Sequence, residues 1–405
     1  MDIEPKIKIS AGLDVHSKIV VVTLLKETSD GKVEPTTKEF STFPEELSKL
    51  ASWLHCERVE LAVMESTGVY WKSVFEALEA EGVKTYVVNA RRVKQIPGKK
   101  TDVNDSHWLA TLGRYGLVRN SFIPEKALRD LRLITHYRIK LKNTIASEVN
   151  RMHKILNDGG IRLNLVFTDL QCTSAQAVIK GILEDKSISE LVSMLKGQLK
   201  KKVDDFRRIF SKPLGDDHKF LLQTIVNHID YLNQECQKLD ARIFEAMKPY
   251  DKQWKILQTI PGIDAFAASI IIAETGVDMH QFESTERFCS WAGMCPGNNE
   301  SAGKRKSSRI TKGSSTLRRT LCEIANAAVR TRSQFQGYYN SLKIRLGHKR
   351  TIIAAGHKIL RVIFKLLLDN SGYTDPRIDY EELIVKRNAP SWIKCLSKYG
   401  YLTPA

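Results

Sequence analysis

No two of the seven cysteines (56, 172, 236, 289, 295, 322 and 395) form a CxxC pair, and their total is odd. That argues against a zinc ribbon or a disulfide framework and fits a reducing compartment. Apolar runs are short too. None reaches the ~18 residues that a bilayer span needs, so no membrane partner is expected. The opening MDIEPKIKISAG lacks the apolar stretch of a signal peptide, and a cytoplasmic location is the expectation. Acids are in short supply: 46 Asp and Glu stand against 63 Lys and Arg, leaving a formal charge of +17 and a pI of about 9.4. Such a balance favours a polyanionic partner, most often nucleic acid.

What is present suits packed domains. An apolar fraction of 42% over 405 residues supports two or three of them. Residues 7–25 read as a β-hairpin around the polar turn Asp14-Val15-His16-Ser17-Lys18. A third strand at 59–64 runs into Glu65, a helix over about 70–81 follows, and a short strand covers 85–88. This alternation predicts an α/β domain with a central sheet. A helix start is expected near Thr101 or Asp102, and helical spacing covers 125–156. From Asp216 to Lys248 there is no Gly or Pro, and apolar residues step by three or four. That is a long amphipathic helix of coiled-coil character, which either joins two protomers or folds back on 125–156. Trp254 to Gly276 reads as helix, Ile-Pro-Gly-Ile turn and helix. Further helices are expected at about 315–346 and 350–369, before a tail rich in Tyr and Trp.

Two groups of residues carry chemistry. Asp14 and Glu65 fall at strand ends, and Asp102 and Asp105, three apart, share a helix face. Taken singly, Asp14 also serves as a turn former and Asp102 as a helix cap. Taken together, four converging carboxylates need divalent cations, and oxygen-only ligands favour Mg²⁺ or Mn²⁺. The second group lies in Ser301–Arg319, which holds seven bases (Lys304, Arg305, Lys306, Arg309, Lys312, Arg318 and Arg319) and no acid. This basic loop, rich in Ser and Gly, suits a nucleic-acid backbone. The Pro261-Gly262 turn, similar to a helix-hairpin-helix, suits one as well. The spacing excludes a phosphate-cradling nucleotide loop. Gly297 and Gly303 are separated by five residues instead of four, and Arg305 stands where Ser or Thr is needed, so no nucleotide cofactor is expected.

The phrases GLDVHSK (12–18), VMESTGVYW (63–71) and KTDVNDSHWLA (100–110) resemble the three motifs of the DEDD insertion-sequence transposases. The stretch AGMCPGNNESAGKRKSSRITKGSSTLRRTL (292–321) is similar to the C-terminal domain of that family. The resemblance implies a ribonuclease-H-like (RuvC-like) N-terminal domain over 1–124, with a helical extension to about 156. It further implies a helical connector of coiled-coil type over 125–250 and a mostly helical, serine-bearing transposase domain over 251–370. The tail, 371–405, has no assigned role. It carries the acidic quartet onto Asp14, Glu65, Asp102 and Asp105 and a nucleophilic serine onto Ser301, although Ser307, Ser308, Ser314 and Ser315 lie nearby. The implied activity is Mg²⁺-dependent cutting and rejoining of DNA, guided by an element-encoded bridge RNA, in a homodimer or tetramer whose two domains meet across protomers. A metal nuclease that resolves branched DNA without a covalent intermediate and a non-catalytic nucleic-acid binder are the rival readings. A tyrosine recombinase built on His357, Arg361 and Tyr373 or Tyr380 lacks a convincing set of basic partners.

Overall fold

The computed structural model describes residues 5–66, 68–89, 93, 105–210, 213–297, 299–301, 304–307, 310–378 and 380–401, with only the backbone at 299–301, 304–307, 381 and 384. The chain divides into two compact units, 1–123 and 124–405.

In the first unit the expected hairpin is present. Strands β1 (Ile9–Val15) and β2 (Ile19–Glu27) pair antiparallel with Val15 opposite Val20. Next come β3 (Val33–Ser41), α1 (Pro44–Cys56), β4 (Leu61–Glu65), α2 (Trp71–Ala80), β5 (Thr85–Val88) and α3 (Asp105–Arg114). The sheet order is β3-β2-β1-β4-β5. β1 is antiparallel to β2 and parallel to β4, and β4 is parallel to β5. An antiparallel meander extended by two parallel strands is the ribonuclease-H-like arrangement.

Alternation along the strands assigns the two faces. Ala11, Leu13 and Val15 of β1, with Val20, Val22 and Leu24 of β2, pack under α1 and α2. On the other face Leu61 and Val63 of β4 meet Leu109 and Leu112 of α3. Small side chains let α3 come very close. A Cβ on Gly12 would lie 1.9 Å from the Ser106 carbonyl oxygen, and one on Gly113 would lie 2.7 Å from Val63. Two buried hydrogen bonds pin the contact. Ser10 donates to the Ala110 carbonyl at 3.1 Å, and Thr23 and Ser106 share a hydrogen bond of 2.8 Å.

The second unit begins with α4 (Lys126–Asp158), followed by α5 (Thr173–Leu183), α6 (Ile188–Ser193), α7 (Val203–Ile209) and α8 (Asp216–Ala246). Of the two arrangements open to the long amphipathic helix, the chain adopts the folded-back one. α8 runs antiparallel to α4 around a shared apolar core that includes Val149, Met152, Leu222 and Leu232. Ion pairs mark the register: Arg138 with Asp240, His228 with Glu148, and His218 with Asp158. Then come α9 (Asp251–Gln258), α10 (Ala265–Thr275), α11 (Thr285–Trp291), a hairpin of β6 (Asn299–Ser301) and β7 (Lys304–Ser307), α12 (Ser315–Ala328), α13 (Gln334–Asp369) and α14 (Tyr380–Lys398).

Two expectations are corrected here. The stretch read as one helix over 315–346 is interrupted at 329–333, where the Thr331 and Ser333 hydroxyls donate back to the Ala328 carbonyl and compete with helix continuation. The stretch read as a basic loop contains a two-stranded ribbon, with Ser301 opposite Lys304 and Glu300 opposite Arg305.

The tail crosses back onto the unit. The Tyr373 amide donates to Thr259 Oγ1 at 2.8 Å, and Asp375 accepts the Gln334 amide at 2.8 Å, capping α13 from a distance in sequence. Lys358 lies under both the Tyr338 and the Tyr380 rings, at 4.8 and 4.5 Å.

The close seating of α3 generates a prediction. Gly12→Ala drives a methyl group into helix backbone that has no room to yield, and destabilises the protein by about 3 kcal/mol or more. The readout is a lower urea midpoint; an unchanged midpoint removes close helix–strand contact as the reason for glycine at 12.

Candidate functional site

The acidic residues sit where the strands of the first unit end. β1 and β4 are neighbours with Leu13 opposite Met64, and Asp14 and Glu65 each follow by one residue. Strand alternation puts Asp14 in the row of Ser10 and Gly12, and Glu65 in the row of Leu61 and Val63. Both rows face α3, whose first described residue is Asp105. Ser106, the next residue, is bonded to Thr23, the register partner of Gly12. Three of the four expected acids therefore share one face and one end of the sheet. Asp14 and Glu65 are partly buried and Asp105 is exposed. Asp102 lies outside the described residues.

One neighbour escaped the sequence reading. His16 places Nε2 3.1 Å from Asp14 Oδ2. The available signal was the Asp-x-His spacing at the strand end. Among the described residues no three acids, histidines or cysteines are gathered closely enough to hold an ion. The donor chemistry of Asp14, Glu65 and Asp105 is nonetheless all-oxygen, the kind that suits Mg²⁺ or Mn²⁺ and not zinc.

The second group lies in the other unit. Ser301 ends β6, and Lys304, Arg305 and Lys306 lie on β7; only their backbones are described. Arg309 is outside the described residues. A bridge between Pro296 and Ile310 closes the base of the ribbon. Lys312 is exposed. Arg318 turns inward: Nη2 donates to the Thr311 carbonyl at 3.3 Å, and Nε is buried without a hydrogen-bond partner among the described residues. Arg319 is partly committed, with Glu323 at 2.9 Å and Asn143 at 2.8 Å.

The expected succession of helix, Pro-Gly turn and helix is present as α9, Pro261-Gly262 and α10. Gly262 has φ +87°, and a Cβ there would lie 2.6 Å from the Ile324 carbonyl oxygen, so the turn is seated on α12 backbone. The Asp264 carboxylate accepts the Ala267 amide at 2.7 Å and already caps α10. That carboxylate occupies one of the amides an incoming phosphate would use.

The tyrosines of the recombinase rival are engaged elsewhere. Burial and contact with Asp375 push the Tyr373 phenol up to about 12, although the Gln334 hydrogen bond opposes this, and the Tyr380 hydroxyl is bonded to Lys358. The Tyr373 phenol is therefore not poised as a nucleophile at neutral pH.

Comparison with known proteins matches two stretches of the chain. A family model described as Transposase IS116/IS110/IS902 family matches residues 254–340, and the model of the IS110 DEDD transposase domain matches residues 11–159. Two domain models of this transposase family thus match the chain, in order along it.

Two relatives carry transposase names. The Sinorhizobium fredii transposase y4pF/y4sB is 27% identical over 152 residues, 36% of this chain and 39% of that one. A Pseudomonas aeruginosa family 20 transposase is 32% identical over 106 residues, 24% of this chain and 31% of that one. The matched stretch thus spans less than two-fifths of either relative. A Thermus thermophilus RuvC structure is similar at 15% identity and a TM-score of 0.22, covering 28% of this chain and 99% of that one. The fold assignment stands on strand order and sense, not on that likeness.

In the second unit a buried carboxylate anchors the segment that follows the ribbon. Glu274, 5% exposed at its side chain, ends α10 and receives His136 Nε2 at 2.6 Å. Arg132 lies 3.8 Å away and donates its Nε to the Ala273 carbonyl. Ser314, the residue that caps α12, also bonds to Glu274. Burial alone pushes the Glu274 carboxyl up, but the His136 and Ser314 hydrogen bonds and the Arg132 charge outweigh it and hold the group below its usual 4.5. The stability it contributes is therefore complete above pH 4.5 and is lost as pH falls through the lower folded value. Glu274→Gln is expected to destabilise the protein by about 1–3 kcal/mol at neutral pH. The gap from wild type should narrow on acidification below pH 4.5. Denaturant melts across pH check this, and a gap that does not change with pH rules out the charged form of Glu274 as its source.

Proposed function

We propose that the chain is the DNA transposase of an insertion sequence, cutting and rejoining phosphodiester bonds to move its element. The placement of Asp14 and Glu65 carries this reading. They lie at the ends of adjacent parallel strands, on the face that bears α3, whose first described residue is Asp105.

In this proposal Asp14, Glu65, Asp102 and Asp105 hold Mg²⁺ or Mn²⁺ through oxygen alone. Once bound, such ions neutralise charge on the attacking and leaving oxygens of a phosphodiester. His16 fixes the orientation of Asp14. Ser301 supplies the nucleophile. Its Oγ loses a proton and bonds to phosphorus, the strand oxygen leaves and takes up a proton, and the phosphoserine ester conserves the bond energy for rejoining. Arg305 and Arg309 offset the charge that builds on the phosphorane. Lys304, Lys306, Lys312, Arg319 and the Pro261-Gly262 turn grip the DNA backbone, while Arg318 holds the base of the ribbon in place.

A bridge RNA that selects target and donor, a dimer or tetramer as the working form, and action in the cytoplasm complete the proposal. A charge of +17 suits RNA and DNA alike.

The test is a suicide DNA substrate that traps the intermediate. A covalent protein–DNA adduct at Ser301 is expected with Mg²⁺ present. Ser301→Ala should abolish it, and Asp14→Asn should slow its formation by about 10²-fold or more. Cleavage with no adduct would instead identify a hydrolytic junction nuclease. DNA binding with no cleavage, indifferent to Asp14→Asn and Glu65→Gln, would identify a binding protein.

A further inference from the structure

From Ile324 to Leu368 the sequence holds no Asp or Glu and nine Lys or Arg. Four of these cations crowd around a break in α13, beyond the stretch matched by the family model at 254–340. Gly347, with φ +72° and ψ 168°, leaves the helix and divides α13 into two limbs. Such angles are open to glycine and strained for other residues. Nothing stands within 4 Å of a Cβ added there, so the backbone direction and not a lack of room calls for glycine. The break is braced from both sides. The Tyr339 hydroxyl on the first limb meets His348 Nδ1 on the second at 2.8 Å, and Thr351 donates to the Gly347 carbonyl at 2.7 Å.

At this elbow Lys343, Arg345, Lys349 and Arg350 are all exposed. None of the four is ion-paired among the described residues. Between them Ile344 is 98% exposed, more than any other large apolar side chain described. Lys343 lies 5.6 Å from the Tyr339 ring centroid, but a braced bend that presents an aliphatic side chain to water, ringed by cations with no acid partner among the described residues, has little to offer a protein core.

We propose that the Lys343–Arg350 elbow binds duplex DNA, its four cations on backbone phosphates and Ile344 as a wedge between base pairs. This rests on the transposase reading and adds to it a place where the duplex is gripped and bent. Aliphatic wedges flanked by cations part a base step and kink the duplex, and phosphate contacts supply the affinity. A single-strand site would instead offer exposed aromatic rings for bases to stack on. Here the nearest tyrosine, Tyr339, is buried and occupied with His348.

The experiment uses the full chain and a duplex of about 30 base pairs carrying 2-aminopurine and an end-to-end dye pair. Binding is measured across a salt series, with an RNA duplex of the same length in parallel. Replacing Lys343, Arg345, Lys349 and Arg350 by Ala should flatten the slope of log affinity against log salt by about 3 to 4, close to 0.9 per phosphate contact. Ile344→Ala should keep that slope but lose the 2-aminopurine rise and the dye approach, and Ile344→Leu should restore both. All five side chains are exposed, so these variants are expected to fold. Variants that bind and bend DNA as wild type does, in a protein that still forms the Ser301 adduct, overturn the elbow and leave strand transfer standing. Effects confined to the RNA duplex also overturn it. A wild-type protein that binds no duplex DNA at all sinks both readings.

Discussion

The contact between Gly12 and the first turn of α3 is the constraint on which the acidic site depends. A helix can deliver a residue to the end of a strand only if their backbones approach closely, and here the Ser106 carbonyl stands where any side chain at 12 would begin. Sequence meets this need with small residues on both sides: Ser10 and Gly12 below, Ser106, Ala110 and Gly113 above. Buried hydroxyls satisfy the polar groups so enclosed. Asp105 stands one residue before that contact and Asp14 two residues beyond it, so the position of each follows from packing that neither makes. Charge density at the site is a product of the core beneath it.

Legibility in the sequence followed how local the cause was. The β1–β2 hairpin, β4, α2 and β5 were visible because alternation and turn residues announce them. β3 was not. As an edge strand, with Val33–Lys38 exposed and a proline within it, it lacks the apolar rhythm of its neighbours. At the break after α12 the local signal, the Thr331 and Ser333 hydroxyls, is weak, and the Asp375 cap that fixes the start of α13 lies far along the chain. Asp14 and Glu65 were readable as candidates from strand-end position, whereas their common face needed the β1–β4 pairing. The inward turn of Arg318 required coordinates, since a run of bases looks alike whether it faces water or backbone.

The second unit distributes positive charge unevenly among tasks. Arg132, Arg138 and Arg318 work inside the protein. Arg138 is held by both oxygens of Asp240 and lies 3.7 Å over the Phe266 ring, joining α4, α8 and α10. Guanidinium suits this work, since its planar fork donates in several directions while its face covers a ring. Lysines gather on the outside, together with arginines such as Arg345 and Arg350 that meet no acid among the described residues. Net charge alone hides this division, and a strongly basic chain can have a large part of its arginine committed to structure.

The strap from Tyr373 to Tyr380 bears on how the second unit holds its shape. Asp375 supplies the cap that α13 cannot find in its own flanking residues, and Tyr380 lies against Gly337, where a methyl group would stand 2.9 Å from its ring. Two points far apart along the polypeptide thus clamp the same helical limb, the limb that leads to Gly347. Any event that loosens the strap, whether a proteolytic nick or a partner that draws α14 away, releases the near end of that limb. The C-terminal segment is in this sense a latch on the helix behind it.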